Sequence, residues 1–361
     1  MIDLRIKVDP LPIDEPLIVR LQAAGSPAES DSDAILTEVE GDRREYEFNG
    51  FSFAVYGADD TVDGDILMML PGTTTAHRLI RAGSKHNTLL VTEQCDQLCV
   101  MCSQPPKKYH ADLFEQFALA AALAPQGAMI GISGGEPLLH KDRLFRMLEN
   151  VKSRRPDVGF HILTNAQHLS TADLDTLQRL DHERILWGVP LYSATPENHD
   201  RIVGKSGAFA NLERGLALLM RAGASLELRS VVMQQNWQDL PTLADYVSTR
   251  LSFVSIWAIM QLERIGYARM NWRETFRDTS ADFEQIARAI DIATARGIKA
   301  ALYNFPLCSV PPAYREYAPS TISDWKQKYL DFCLNCRSQK TCGGFFEWYS
   351  EPEGFASLGP L

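Results

Sequence analysis

Cys95-Asp96-Gln97-Leu98-Cys99-Val100-Met101-Cys102 is the stretch on which the reading of this chain turns. Three cysteines within eight residues directly follow the apolar run Asn87-Thr88-Leu89-Leu90-Val91-Thr92-Glu93. Thiolates this closely spaced can converge on one metal centre, and the short gaps leave little room for a packing role. Three thiolates do not complete a four-iron cube, so one iron would stay open to a non-protein ligand. A zinc ion held by three cysteines and a histidine is the alternative, with His110 near enough in sequence. The plain reading is three buried small hydrophobes.

Length and composition set the frame. At 361 residues the chain is long enough for two or three domains, and 45% apolar with 23% charged residues is ordinary for a globular protein. A formal net charge of −10 repels phosphate backbones on average, which argues against a nucleic-acid partner. No opening stretch pairs basic residues with an apolar core, and no apolar run reaches the length of a membrane span. The expectation is a cytoplasmic protein with no membrane partner. Seven cysteines in a reducing compartment favour metal binding over disulfides.

Residues 1–86 read as a β-rich N-terminal domain, a docking surface or a cap. Leu4–Val8, Tyr46–Phe48 and part of Phe51–Tyr56 alternate as half-buried strands do. Ala23–Asp33 is small, polar and acidic, as expected of a mobile loop, and Asp63–Gly72 reads as turn, strand and turn. From Thr88 the pattern becomes strand, turn and amphipathic helix, repeated. Strands are expected at Thr88–Thr92, Ala128–Ser133, Gly159–Thr164, Ile185–Tyr192, Leu226–Met233 and Val254–Gln261, with a further one at Gly297–Tyr303. Helices are expected at Asp112–Ala122, Arg143–Ser153, Ala172–Leu180, Ala208–Ala222 and Leu240–Leu251, with Ser170 or Thr171 capping the third and Gly223 ending the fourth. Such repeats imply parallel strands joined by right-handed crossovers, here a partial (β/α)6 barrel of the TIM-like kind over residues 87–305.

In parallel barrels the chemistry gathers at the carboxyl ends of the strands. The three-cysteine stretch follows the first strand, Ser133-Gly134-Gly135-Glu136-Pro137 ends the second, and Thr164-Asn165-Ala166 ends the third. Ser193, Gln234-Gln235-Asn236 and Glu263 end the next three. The paired glycines let backbone approach a ligand closely, although a strand-to-helix turn uses them too. Gly131-x-x-Gly134-Gly135 does not match the dinucleotide fingerprint, and no phosphate-loop lysine follows. His110, His161, His168, His182 and His199 are scattered and read as surface or structural residues. In residues 306–361, Cys308, Cys333, Cys336 and Cys342 make a set of four that closes one tetrahedral site, either zinc or a second iron–sulfur cluster.

Cys-x3-Cys-x2-Cys after a strand resembles the signature of the radical S-adenosylmethionine (radical SAM) superfamily. The resemblance implies a [4Fe–4S] cluster on Cys95, Cys99 and Cys102, its fourth iron chelated by S-adenosylmethionine and its electron used to release a 5'-deoxyadenosyl radical. It also implies that Gly134, Gly135 and Glu136 hold the aminoacyl end of that cofactor, that Asn165, Ser193 and Arg229 contact its ribose and carboxylate, and that Met101, where an aromatic residue is common, packs against its adenine. Arg229 could equally pair with Glu227. The tail resembles the auxiliary-cluster segment of peptide-modifying members, which implies a second [4Fe–4S] cluster, with zinc as the alternative.

Val91-Thr92-Glu93-Gln94, Cys102-Ser103-Gln104-Pro105-Pro106, Tyr303-Asn304-Phe305-Pro306-Leu307-Cys308, Thr321-Ile322-Ser323-Asp324-Trp325-Lys326 and Cys342-Gly343-Gly344-Phe345-Phe346 resemble the radical SAM maturases of the His-Xaa-Ser system, HxsC type. That likeness implies modification of a ribosomally made peptide with His-Xaa-Ser repeats. It also implies a heterodimer with a second radical SAM maturase and an electron donor such as flavodoxin or ferredoxin. A radical SAM enzyme for a small molecule or RNA, and a non-catalytic cluster-binding subunit, stay open as alternatives.

Overall fold

The computed structural model describes residues 4–57, 62–180 and 182–361. Its N-terminal part holds β1 (Arg5–Val8), β2 (Leu17–Gln22), β3 (Asp33–Glu40), β4 (Arg43–Phe48), β5 (Phe51–Tyr56), β6 (Ile66–Met69) and β7 (Thr75–Ile80). They close into a barrel in the order β1-β5-β4-β3-β2-β6-β7, antiparallel except for the β2–β3 pair. Inward residues such as Val8, Leu21, Tyr46, Phe53 and Leu67 fill it. Closure removes the free edges that an open sheet of this size would offer to other chains. Strands β2, β3 and β7 go beyond the sequence expectation. The loop from Ala23 is pinned at its far end, because Asp33 is buried at the start of β3 and bonded by Arg20 Nε (2.7 Å) and the N–H of Glu29 (2.8 Å).

A second sheet follows, made of β8 (Asn87–Thr92), β9 (Met129–Gly134), β10 (Gly159–Leu163), β11 (Ile185–Pro190), β12 (Ser225–Val231), β13 (Ile256–Met260) and β14 (Ala300–Tyr303). The strands pair in sequence order, all parallel, and the sheet is open. Its crossovers carry α1 (Phe114–Leu123), α2 (Lys141–Arg154), α3 (Leu174–Arg179), α4 (Pro196–Val203), α5 (Ala208–Ala222) and α6 (Leu240–Arg250). The last crossover carries α7 (Gly266–Met270), α8 (Trp272–Thr275) and α9 (Glu284–Ala295). Six helical crossovers join the strands, and the further strand expected at Gly297–Tyr303 is present as β14, fully paired to β13.

One face of this sheet is apolar and covered by the helices: Leu89, Ile132, Phe160, Trp187, Leu228, Trp257 and Leu302 are fully buried there. The barrel's Ile18, Ile66, Met68 and Ile80 join the same core beside α1, which fixes the barrel to the sheet. Gly223, in the left-handed region at φ 77°, ends α5 as expected. Ser170 starts the third helical segment through a reciprocal pair with Asp173. The tail has only short 3₁₀ turns and one small ladder between β15 (Gln327–Lys328) and β16 (Phe345–Phe346). Among the described residues no helix is long and apolar enough to cross a membrane.

Candidate active site

The chain leaves β8 at Thr92 and enters the three-cysteine loop, which is tied down from three sides. Leu98 N–H and Val100 N–H donate to Val203 and Ile202 carbonyls at the end of α4, each at 3.0 Å. Asn271 Nδ2 donates to Val100 O, and Tyr267 N–H donates to Cys102 O, each at 2.8 Å. The third side is the Gly-Gly turn after β9, where Gly135 N–H donates to Thr92 O (2.9 Å) and Glu136 N–H donates to Gln94 O (2.7 Å).

All three thiols are free and partly buried. Burial pushes Cys95 up to about 11, with the nearby carboxylates and Cys102 adding to it, and raises Cys99 and Cys102 as well. Three thiols carried on one short loop at the end of β8, held in place by the bonds above, are the soft donor set that a thiolate-binding metal centre takes. Loading the site would release protons. Among the described residues, no three His, Cys, Asp or Glu side chains are gathered as a single metal ion would need. His110, the alternative fourth ligand, stacks on His140 at a ring-centroid separation of 3.8 Å.

Close backbone approach explains the glycines directly. A Cβ on Gly134 would fall 2.5 Å from Thr92 O, and one on Gly135 would fall 2.2 Å from Gln94 O. Glu136 is 1% exposed, and its carboxylate accepts from Leu138 N–H (2.8 Å), Asn165 N–H (2.6 Å) and Thr164 Oγ1. Burial raises its pKa while those donors pull it down. Its side chain thereby joins the ends of β9 and β10.

The remaining sequence candidates separate into two groups. Asn165 reaches Asp96 Oδ1 with its amide (3.3 Å), and Asp96 also meets His168 Nε2 (3.1 Å) and Lys205 Nζ. The contact with His168, together with Lys205, holds the Asp96 carboxyl far below its usual range although burial opposes it. Arg229 pairs with Glu227 on the uncovered face of the sheet, where Glu227 also meets His161 Nε2 (3.2 Å) and Tyr303 Oη (3.0 Å). Burial alone would raise Glu227, but His161 and Arg229 hold it at about 2.

Ser193 and Met101 face the interior. Ser193 is fully buried and accepts from Thr195 N–H (3.0 Å), and Met101 is enclosed with Tyr192, Ile202 and Trp272. Asp96 and Lys205 are not singled out by the sequence as site residues, whereas Glu227 is the alternative partner it offers for Arg229, the pair found here. The only sequence signal for Asp96 was its place inside the cysteine stretch.

At the far end of the sheet, Cys308 follows β14 and lines one small cavity with Cys333, Cys336 and Cys342. Backbone N–H groups aim at the sulfurs: Leu307 and Gly344 at Cys342, and Leu361 at Cys336, each at 3.3 Å. Burial pushes Cys308 up to about 11 and raises Cys333.

Residues 89–247 match the sequence model of the radical SAM superfamily, a span that holds the cysteine loop and the strand ends around it. Over that span, less than half of the chain, the sequence is similar to radical SAM domains. A PqqA peptide cyclase of Granulibacter bethesdensis is 22% identical over 268 residues, 70% of this chain and 68% of the cyclase. The antilisterial bacteriocin subtilosin biosynthesis protein AlbA of Bacillus subtilis is 24% identical over 191 residues, 50% of this chain and 42% of AlbA. Among solved structures, Streptococcus suis SuiB bound to precursor peptide SuiA aligns at 15% identity with a TM-score of 0.48, over 62% of this chain and 49% of SuiB. The chain thus spans about two thirds of the cyclase and less than half of AlbA and SuiB. The matched span begins within β8 and ends within α6, so the β-barrel and the four-cysteine tail lie outside it.

Proposed function

We propose that this chain is a radical S-adenosylmethionine enzyme that modifies a ribosomally made peptide. The observation that carries the reading is the trio Cys95, Cys99 and Cys102 at the carboxyl end of β8, inside the matched domain, while the other four cysteines are drawn to a separate cavity. A [4Fe–4S] cluster on that trio, with S-adenosylmethionine on its fourth iron, supplies a 5'-deoxyadenosyl radical when bound. Gly134 and Gly135 hold the strand end against the loop, and Asp96 ties the loop to Asn165, His168 and Lys205. Asn165 and Arg229 are the residues we assign to cofactor contact. Ser193, Met101 and Glu136 support them from behind. The uncovered face of the sheet, read as the inside of a partial barrel, carries Glu227, His161 and Tyr303 toward the substrate.

A peptide substrate is supported by the names of the relatives, a peptide cyclase and a bacteriocin biosynthesis protein. The sequence resemblance narrows the proposal to a peptide with His-Xaa-Ser repeats, a second radical SAM maturase as partner and a flavodoxin- or ferredoxin-like donor. For the tail we propose a second [4Fe–4S] cluster on Cys308, Cys333, Cys336 and Cys342, supported by the one cavity the four share and by the N–H groups aimed at two of their sulfurs.

Anaerobic reconstitution, chemical reduction and chromatography for 5'-deoxyadenosine test the assignment. Replacing Cys95, Cys99 and Cys102 together by alanine should remove about half the iron and all cleavage; cleavage retained in that variant refutes it. Roughly eight irons and no zinc per chain supports two clusters, whereas about four irons and one zinc refutes the second. Incubation with His-Xaa-Ser peptides and the partner should change peptide mass, and unaltered mass refutes the substrate.

A further inference from the structure

Residues 264–280, between β13 and α9, touch both cysteine sites. On one side lie the bonds from Asn271 to Val100 O and from Tyr267 to Cys102 O. Gly266, at φ 57°, sits where a Cβ would fall 2.4 Å from Cys102 O, so the two backbones are in direct contact. Trp272 and Ala268 share a buried apolar cluster with Met101.

On the other side the same segment grips the tail. Trp272 Nε1 donates to Glu353 O (2.7 Å), and Asp278 and Ser280 accept from the N–H groups of Ala356 (2.8 Å) and Ser357 (3.0 Å). A run of rings continues the connection. Trp272 stacks on Phe276 at 4.4 Å, Phe276 meets Phe355 at 5.8 Å, Phe355 meets Tyr349 at 5.8 Å, and Tyr349 meets Phe345 at 4.8 Å. Phe345 lines the four-cysteine cavity, and Leu361, just beyond Ser357, donates to Cys336.

We propose that this segment couples the two sites, so that filling the tail cavity with its metal group strengthens S-adenosylmethionine binding at the Cys95–Cys102 loop. The inference rests on the proposed function. Its physical basis is order. The tail has almost no ladder or helix of its own, so its shape depends on side-chain contacts and on what the four thiols hold. Binding four thiolates to one group fixes residues 308–361, and those residues fix the segment that carries Asn271 and Tyr267. Ordering done by the first ligand is not required of the second, which is positive coupling. Coupling is reciprocal, so S-adenosylmethionine must strengthen metal retention in the tail by the same factor.

A double-mutant cycle tests this on the full chain. One arm removes the tail site (Cys333→Ala with Cys336→Ala), the other loosens the bridge (Trp272→Phe with Phe276→Leu), and the third combines them. S-adenosylmethionine affinity is measured by equilibrium dialysis on anaerobically reconstituted protein, with iron, zinc and unfolding temperature recorded for each. Loss of the tail site should weaken binding roughly fivefold or more in the intact background and less than about twofold when the bridge is loose. Should the bridge variant not fold, Asn271→Ala, which removes one bond to Val100, takes its place. Equal losses in both backgrounds, with both sites filled in the wild type, overturn the coupling alone. A wild-type tail without metal overturns it together with the proposed tail site, and a wild type that binds no S-adenosylmethionine overturns the radical SAM reading as well.

Discussion

Replacing Gly135 by alanine puts a methyl group 2.2 Å from Gln94 O and 2.9 Å from Cys95 Cβ. Neither neighbour can give way cheaply. Gln94 O is backbone and is held by Glu136 N–H at 2.7 Å, and Cys95 begins the loop that Val203, Ile202 and Asn271 tie down. Overpacking of this kind costs about 1–3 kcal/mol, and a backbone obstacle places it at the upper end. At about 2–4 °C per kcal/mol for a chain of this general size, the unfolding midpoint should drop by about 5–10 °C. Because Cys95 must move with the loop, iron retained after anaerobic reconstitution should fall as well. Calorimetry and iron analysis on Gly135→Ala beside Gly83→Ala decide it, since a Cβ on Gly83 meets nothing within 4 Å. The Gly83 variant should match the wild type in both. A Gly135 variant that also matches would refute the close-approach argument.

Three further outcomes follow from the electrostatics. Glu227 is held at about 2, below its ordinary value, so its stabilisation is full above about pH 4.5 and is lost as pH falls toward 2; Glu227→Gln should flatten urea midpoints across that window, a contribution on the order of 3 kcal/mol. Burial holds His199 down at about 4, so folding favours its neutral form; stability should decline as pH drops from about 6.5 toward 4, and His199→Leu should remove that slope while costing about 1–3 kcal/mol for the Tyr192 N–H left without its 3.3 Å acceptor. Arg81, 6% exposed, pairs with Asp324 of the tail (3.0 Å from Nη1), so Asp324→Asn should lower the free energy of urea unfolding by about 1–3 kcal/mol, and an unchanged value would show that the pair does not anchor the tail.

The parallel sheet could be read from the chain because strands buried by helices must be short and apolar, and Ile-Gly-Ile-Ser and Ile-Leu-Trp-Gly-Val satisfy that locally. β14 is a weaker signal, four residues long, and its neighbour decides it. In the β-barrel, β7 hides behind Arg78, whose ion pair with buried Asp65 lets a charged residue occupy a half-buried position, and the outer half of β3 is exposed on both faces, so neither alternates cleanly. Glu136 shows a different limit. A carboxylate at a strand end is needed both by a ligand site and by a backbone staple, and only the position of Asn165 N–H, far along the chain, separates the two. The same holds for what secures the cysteines. Their spacing is local and therefore visible, but the partners that hold the loop lie at Ile202, Val203, Tyr267 and Asn271, where no period or motif announces them. Metal ligands are chosen by chemistry that a short stretch can carry. Much of the rigidity that keeps three thiols in register comes from Ile202, Val203, Tyr267 and Asn271, far along the chain, and those contacts exist only once the sheet has brought its strand ends together.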